Sequence, residues 1–61
     1  MKVGDIVRVI RHHWLGIYLG KYVSVNQKTG YEYVCAEVMW LRNNQIQTCS
    51  FSTIEVVKEA V

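Results

Sequence analysis

Two adjacent histidines, His12 and His13, lie in the stretch RHHWLGIYLG, and the chain also contains two cysteines, Cys35 and Cys49. Imidazole nitrogens and thiolates are common zinc ligands, so these four residues are the candidates for a metal site. Neighbouring residues of an extended segment point to opposite sides, however, and neither cysteine has a C-x-x-C or H-x-x-x-H spacing. We therefore predict no metal site, with the two histidines hydrogen-bonded or facing solvent.

The same side chains could in principle do covalent chemistry, because a cysteine beside a histidine can form an activated nucleophile. No third residue that would orient such a pair is evident, and a chain of 61 residues is too small to enclose a deep pocket. We expect no enzyme activity and no cofactor. A turn centred on Asn43 and Asn44 would place Val38 opposite Cys49 and Cys35 on the other face, so two free thiols are expected rather than a disulfide.

Cationic and aromatic residues are concentrated between positions 8 and 22. Tryptophan and tyrosine offer flat faces for stacking, and arginine adds phosphate and cation–π contacts, so this mixture is typical of binding surfaces. The simpler interpretation is that Trp14 and Tyr18 pack on the end of the domain while the arginines are solvated. The candidate binding surface consists of Arg8, Arg11, His12, His13, Trp14, Lys21 and Tyr22.

Length and composition predict one small soluble domain. Hydrophobic residues make up 51% of the chain and charged residues 20%, which excludes a disordered composition. The net charge of +2 permits nucleic-acid contact without requiring it. No apolar run reaches membrane-spanning length, and arginines interrupt the first apolar residues, so neither a membrane segment nor a signal peptide is expected. We predict a cytoplasmic domain over residues 1–57 with a frayed tail over 58–61.

The pattern of apolar residues predicts five short strands, at 3–10, 17–25, 31–41, 45–51 and 54–57. Residues 11–16 are expected to form a loop, Gly20 a bulge or bend, and Arg42-Asn43-Asn44 a tight turn. Ser52 and Thr53 are expected to form a turn, although a helix from Ser52 to Ala60 is an alternative. The predicted core residues are Val7, Val9, Val34, Ala36, Val38 and Trp40, with Tyr31 and Tyr33 as packing aromatics. Five strands with tight turns predict a small antiparallel barrel.

Four segments of the sequence resemble small SH3-like barrels of the KOW and Tudor-like type: VGDIVRV, GIYLG, VMW before a turn, and IEVV near the end. The chain is particularly similar to very short SH3-like proteins of tailed phages of marine cyanobacteria. This resemblance implies an SH3-like fold, a first loop that flanks a ligand groove, and a viral protein in the host cytoplasm. No residues match the aromatic cage of the methyl-lysine readers, so that ligand is not implied.

Three functions are consistent with these observations. The first is a non-enzymatic binding module that contacts a protein, for instance as a viral accessory domain. The second is an RNA- or DNA-binding barrel that uses the basic and aromatic residues between positions 8 and 22. The third is self-assembly into a homodimer, because an apolar chain of this size can bury an edge strand or exposed aromatics in a second copy.

Overall fold

The computed structural model describes residues 1–60, which form an all-β fold of five strands with a single 3-10 turn. The strands are β1 (Ile6–Val9), β2 (Leu15–Val25), β3 (Glu32–Trp40), β4 (Ile46–Cys49) and β5 (Ile54–Lys58). The 3-10 turn covers Phe51–Thr53 and begins after Ser50, whose hydroxyl accepts a hydrogen bond from the Ser52 backbone amide. The predicted all-β class and the five strands are thus confirmed.

All five strands belong to one antiparallel sheet in the order β4-β3-β2-β1-β5. The edge strands β4 and β5 are consecutive in the chain, joined only by Ser50 and the 3-10 turn. A flat sheet of five strands would hold its two edges about 19 Å apart. The short connection spans only about 10–13 Å. The sheet must therefore curl so that its edges approach each other, which gives the barrel-like shape.

The hydrophobic core lies on the inner side of this curl. Side chains from all the central strands meet there, because residues of one parity on each strand point inward. Val7, Ala36 and Val38 are fully buried, and Trp40 is 5% exposed. The core cluster is Val7, Tyr18, Ala36, Val38, Trp40 and Ile54, with Val9, Cys49 and Phe51 packed against it. The predictions for Val7, Val38 and Trp40 are confirmed, and Val9 is partly buried.

Gly20 interrupts the pairing of β2 with β3, as its position in the strand predicts. Tyr18 pairs with Val38 but Gly20 pairs with Glu37, so the register shifts by one residue. The φ of Gly20 is 138°, a conformation that residues with a Cβ rarely adopt. Because of this bulge, the residues of β2 that face the core side have even numbers before Gly20 and odd numbers after it.

Beyond the bulge, β2 and β3 continue as a two-stranded hairpin, which we call the arm (residues 22–35). Strand β1 pairs with β2 only at Leu15–Ile17, and β4 pairs with β3 only at Ala36–Met39. We call the rest of the described chain the body. The arm makes the molecule elongated, with extents of 36 × 22 × 20 Å.

Several predictions about packing are wrong in the arm. Val34 is 52% exposed rather than buried, and Tyr31 and Tyr33 are 76% and 54% exposed rather than packed. Their inward or outward parity follows the predicted pattern, but neither β1 nor β4 extends far enough to pair beside them. Val34 pairs with Val23, which is itself 55% exposed, so the two valines lie side by side in solvent.

Strand boundaries and one register also differ from the predictions. β1 begins at Ile6 because Gly4, with a φ of 96°, turns the chain just before it. β2 begins at Leu15, so the predicted loop loses its last two residues. The β3–β4 turn, with Asn44 at a φ of 57°, places Val38 opposite Gln47 and Ala36 opposite Cys49. This is a shift of two residues from the predicted register, which preserves the face of every side chain.

The segment predicted as a frayed tail is partly structured. Lys58 belongs to β5, and the Ala60 backbone amide donates a 2.6 Å hydrogen bond to Oδ1 of Asp5. The other carboxylate oxygen of Asp5 accepts a 2.8 Å bond from the Lys2 backbone amide. Asp5 is 2% exposed and therefore links both ends of the chain inside the fold. Residue 61 of the predicted tail lies outside the described residues.

Candidate functional site

The loop between β1 and β2 is short and tightly folded. The His12 amide donates to the Val9 carbonyl at 3.0 Å, and the Val9 amide donates to the Trp14 carbonyl at 3.2 Å. Arg11 has a φ of 72°, in the left-handed region that non-glycine residues occupy only in special turns. The chain therefore reverses its direction within residues 10–13. Trp14 comes immediately before β2, on the face of the sheet that carries the core.

Trp14 is held in place but remains 45% exposed. Its ring meets Trp40 edge to face at a centroid distance of 6.3 Å, and His12 lies at the same distance in a tilted arrangement. The guanidinium carbon of Arg42 stands 4.6 Å from the centroid of the Trp14 ring, which is cation–π geometry. Three neighbours thus orient an indole whose remaining surface is exposed to solvent.

Trp40 is positioned by two features of the strands beside it. Its indole N–H donates to Oε1 of Gln47 at 3.2 Å. Gly16 pairs directly with Trp40, and a Cβ at Gly16 would lie 2.8 Å from Cε3 of Trp40 and 2.5 Å from Cγ1 of Val38. The absence of a side chain at Gly16 therefore lets the Trp40 ring lie against β2.

The two tryptophans form one wall of a concavity of about 260 Å³. It lies where the curled sheet brings the first loop close to β4 and the 3-10 turn. Two wider depressions of about 500 and 400 Å³ run along β3 and β4, and both have more polar linings. The concavity at the tryptophans is the most apolar of the three, and its lining residues are Val9, His12, Trp14, Trp40, Gln47, Cys49 and Thr53.

The structure brings only part of the predicted binding surface together. Arg11, His12, His13 and Trp14 are consecutive and exposed in the first loop. Lys21 and Tyr22 lie beyond the Gly20 bulge, about 23 Å or more along β2 from Trp14. They are exposed, but Tyr22 is on the opposite face of the sheet from Lys21, because they pair with Cys35 and Ala36 respectively.

Arg8 is engaged elsewhere. It lies on the outer face of β1, directly opposite Glu55 of β5. Its Nε donates to Oε1 of Glu55 at 3.1 Å, and its Nη2 makes an ion pair with the same oxygen. The charge of Arg8 is therefore largely balanced on the far side of the sheet from the concavity.

Sequence reasoning missed Arg42, Gln47 and Gly16 as parts of this site. Arg42 was assigned to a turn, and nothing local indicates that its side chain returns to Trp14. Gln47 was assigned to a strand without a role. The pairing of β2 with β3 is the signal that could have found Arg42. Gly16 lies opposite Trp40, so Arg42, two residues after Trp40, lies near Trp14 at the start of β2.

The two cysteines are free thiols, and Cys49 lines the concavity together with His12. Cys35 is buried, Cys49 is partly buried, and the two are not bridged. Burial raises the pKa of the Cys49 thiol, so it is protonated and a weak nucleophile at neutral pH. Among residues 1–60, no group of three or more His, Cys, Asp or Glu side chains is close enough to hold a metal ion.

The fold and the site define a class: a small all-β domain with a half-exposed, braced indole beside a shallow apolar concavity. The described part of the chain contains no helix that is long and apolar enough to cross a membrane. Comparisons of the chain with protein-family models, with curated proteins and with solved structures found no match.

Proposed function

We propose that this chain is a small non-enzymatic binding module that holds a short segment of a partner protein in the concavity beside Trp14 and Trp40. The observation that carries the proposal is the state of Trp14. An indole that is 45% exposed yet held by Trp40 and Arg42 presents a large apolar surface at little further cost in side-chain entropy.

The size of the concavity supports a peptide rather than a metabolite. Its volume of about 260 Å³ is below the range of about 300–1,000 Å³ that is typical of small-molecule sites. It can accept one apolar side chain of a bound segment. The amide of Gln47 lines the same concavity and can donate a hydrogen bond to a carbonyl group of that segment.

The charge around the concavity supports an acidic partner segment. Arg42 is stacked on Trp14, and Arg11 is exposed in the adjoining loop. Cations at the rim of an interface mainly increase the rate of association and determine orientation. We therefore propose a ligand with an apolar side chain flanked by carboxylates. The resemblance to phage SH3-like proteins supports a role as a viral accessory protein in the host cytoplasm.

Nucleic-acid binding is the alternative, and the stacking of Arg42 on an exposed indole is the observation that favours it. Indole and guanidinium surfaces together can stack on a base and contact its phosphate. The pairing of Arg8 with Glu55 counts against it, because this pairing leaves fewer cations for phosphates.

A peptide-library selection on the immobilised protein tests the proposal. The wild-type protein should enrich peptides with an apolar residue next to acidic residues, and Trp14→Ala should lose at least about ten-fold in affinity for them. Tyr31→Ala is the matched control, because Tyr31 is an exposed aromatic far from the concavity. Equal losses for both variants would contradict the proposal.

The same proteins should be titrated with poly-dT and poly-rU oligonucleotides at several salt concentrations. Binding that weakens steeply with salt, and whose salt slope falls by about one for Arg42→Gln, would favour the nucleic-acid alternative. Absence of both peptide and oligonucleotide binding would overturn the assignment of this concavity as a ligand site.

A further inference from the structure

The arm exposes apolar side chains on both of its faces. Val23, Val25 and Val34 point to one side and are 52–55% exposed. Tyr22 and Tyr33 point to the other side and are 46% and 54% exposed, and Tyr31, just before β3, is 76% exposed. Strands that are apolar on both faces are usually covered on both faces. Cys35 is the only buried residue of this hairpin, and these six side chains remain exposed.

The outer edge of β2 is also unpaired in the arm. Strand β1 reaches only Ile17, so the backbone from Tyr22 to Val25 has no strand on its outer side among the described residues. An exposed, uncharged edge of β-branched and aromatic residues is a template for pairing with another strand. No proline occurs in the chain to block it.

The described fold exposes more surface than a compact monomer of its size. The described fold exposes 4771 Å², whereas a compact monomer of 7.1 kDa should expose about 4,100 Å². The radius of gyration is 12.1 Å, against about 10.5 Å for a compact domain of this length. The excess of about 700 Å² reflects the extended arm, whose edge and faces are open to a partner.

The charges of the arm favour a second copy of the same chain over a highly charged partner. Lys28 and Glu32 are the charged residues of the arm, so it is neutral overall. Antiparallel pairing of two β2 edges around a two-fold axis at Val23 brings Tyr22 opposite Ser24 and Lys21 opposite Val25. No like charges face each other, and the four-stranded sheet continues both the valine face and the tyrosine face.

We propose that two copies of this chain form a homodimer by pairing the outer edges of β2 over Tyr22–Val25. The interface is separate from the concavity at Trp14, which lies near the opposite end of β2. Each dimer would therefore present two ligand sites, one at each end. Loss of peptide binding and loss of dimerisation are independent outcomes, so failure of one proposal can be distinguished from failure of the other.

The direct test uses opposite charges at the proposed two-fold axis. In analytical ultracentrifugation, the wild-type protein should show a concentration-dependent mass that approaches twice 7.1 kDa. Val23→Lys and Val23→Glu should each weaken dimerisation by about ten-fold or more, because the axis would place each new charge opposite its own copy. An equimolar mixture of the two variants should recover the dimer.

Val57→Lys is the matched control. Val57 is a valine of similar exposure on the edge strand β5 of the body, outside the proposed interface, and its replacement should leave the dimer unchanged. Circular dichroism of each variant establishes that it is folded, and the mixing experiment is interpreted on folded chains. Should Val23→Lys or Val23→Glu not fold, two double variants give the same readout. In Tyr22→Lys/Ser24→Lys and in Tyr22→Glu/Ser24→Glu the axis again places like charges opposite each other, and mixing the two pairs opposite charges.

Three outcomes would overturn the proposal. The first is a wild-type protein that stays at the monomer mass at millimolar concentration, which would leave the arm to a different partner. The second is a dimer that Val57→Lys weakens as much as Val23→Lys does. The third is a mixture of oppositely charged variants that remains monomeric, since that result would exclude the two-fold juxtaposition at Val23.

Discussion

The body and the arm share two continuous strands, yet the same residue type behaves differently in each. Val38 and Val34 both lie on β3 and face the same side, but Val38 is fully buried and Val34 is 52% exposed. Val38 has β2 on one side and β4 on the other, whereas only β2 pairs with β3 at Val34. Hydrophobicity and strand parity determine which way a side chain points. The number of neighbouring strands determines whether that direction leads into a core.

The largest difference between the two regions should appear on removal of an aromatic side chain from each. Trp40→Ala in the body should lower the free energy of unfolding by about 3–5 kcal/mol, because it leaves a cavity in the core. Tyr31→Ala in the arm should change it by less than about 0.5 kcal/mol, because Tyr31 is 76% exposed. Urea denaturation at low micromolar concentration measures both.

A loss of that size can unfold so small a domain at room temperature. In that case the circular dichroism spectrum of Trp40→Ala will lack strand signal in buffer, and Trp40→Phe gives the graded readout. An unchanged unfolding midpoint for Trp40→Ala would contradict the core assignment. A large loss for Tyr31→Ala would mean that the arm is covered.

The same contrast explains which features were predictable from the sequence. The five strands, the bulge at Gly20 and the turn at Arg42-Asn43-Asn44 depend on local patterns, and each was predicted correctly. The exposure of Val34, Tyr31 and Tyr33 depends on where β1 and β4 stop, which no property of the β2 or β3 segments encodes. Within the candidate site, the loop residues Arg11–Trp14 were found together because they are adjacent in sequence. Arg42 was missed because its contact with Trp14 arises from strand pairing.

Alanine substitutions at two glycines compare the body with the arm, because one tests steric crowding and the other tests backbone strain. Gly16→Ala in the body should cost about 1–3 kcal/mol, because the new Cβ would meet Val38 and Trp40 at 2.5 and 2.8 Å. Gly30→Ala at the tip of the arm meets no atom within 4 Å and is strained only by its φ of 75°, so it should cost about 1 kcal/mol.

Thermal denaturation of the two variants beside the wild-type protein is sufficient to rank them. Fluorescence of the tryptophans should also change in Gly16→Ala alone, because the ring of Trp40 must move. If Gly30→Ala is the more destabilising of the two, the close packing of Gly16 on Trp40 does not control stability in the body.

A pH-dependent effect on stability is expected in the body, at Asp5. Hydrogen bonds from the backbone amides of Ala60 and Lys2, the former contributing more, hold the pKa of Asp5 below its usual value of 3.8. A lowered folded-state pKa means that this stabilisation is fully present above about pH 4. It is lost as the pH falls through the folded-state pKa, where protonation removes the acceptor charge that holds both chain ends.

Melting temperatures from pH 7 to pH 2 test this expectation. The wild-type protein should lose stability progressively below about pH 4. Asp5→Asn should be less stable at neutral pH, and its melting temperature should fall less steeply below about pH 4, which we call the acid limb of the curve. Glu59→Gln, which replaces an exposed carboxylate near the same chain end, should keep the acid limb of the wild-type protein. Identical acid limbs for the wild-type protein and Asp5→Asn would show that Asp5 does not titrate with unfolding.

The smallest effect is expected at the ion pair of Arg8 with Glu55 on the outer face of the body. Both side chains are 44% exposed, so solvent screens their attraction and the coupling should be only about 0.2–1 kcal/mol. A double-mutant cycle with Arg8→Gln, Glu55→Gln and the double variant measures it, and the coupling should shrink between 0.05 and about 1 M salt. Arg8→Gln should leave ligand binding at the concavity unchanged, whereas Arg42→Gln should weaken it, because only Arg42 contacts Trp14. If the Arg8→Gln and Arg42→Gln variants bind the ligand equally poorly, the ligand also contacts the outer face of β1. In that case the outer face of the body is part of the binding surface and not only structural.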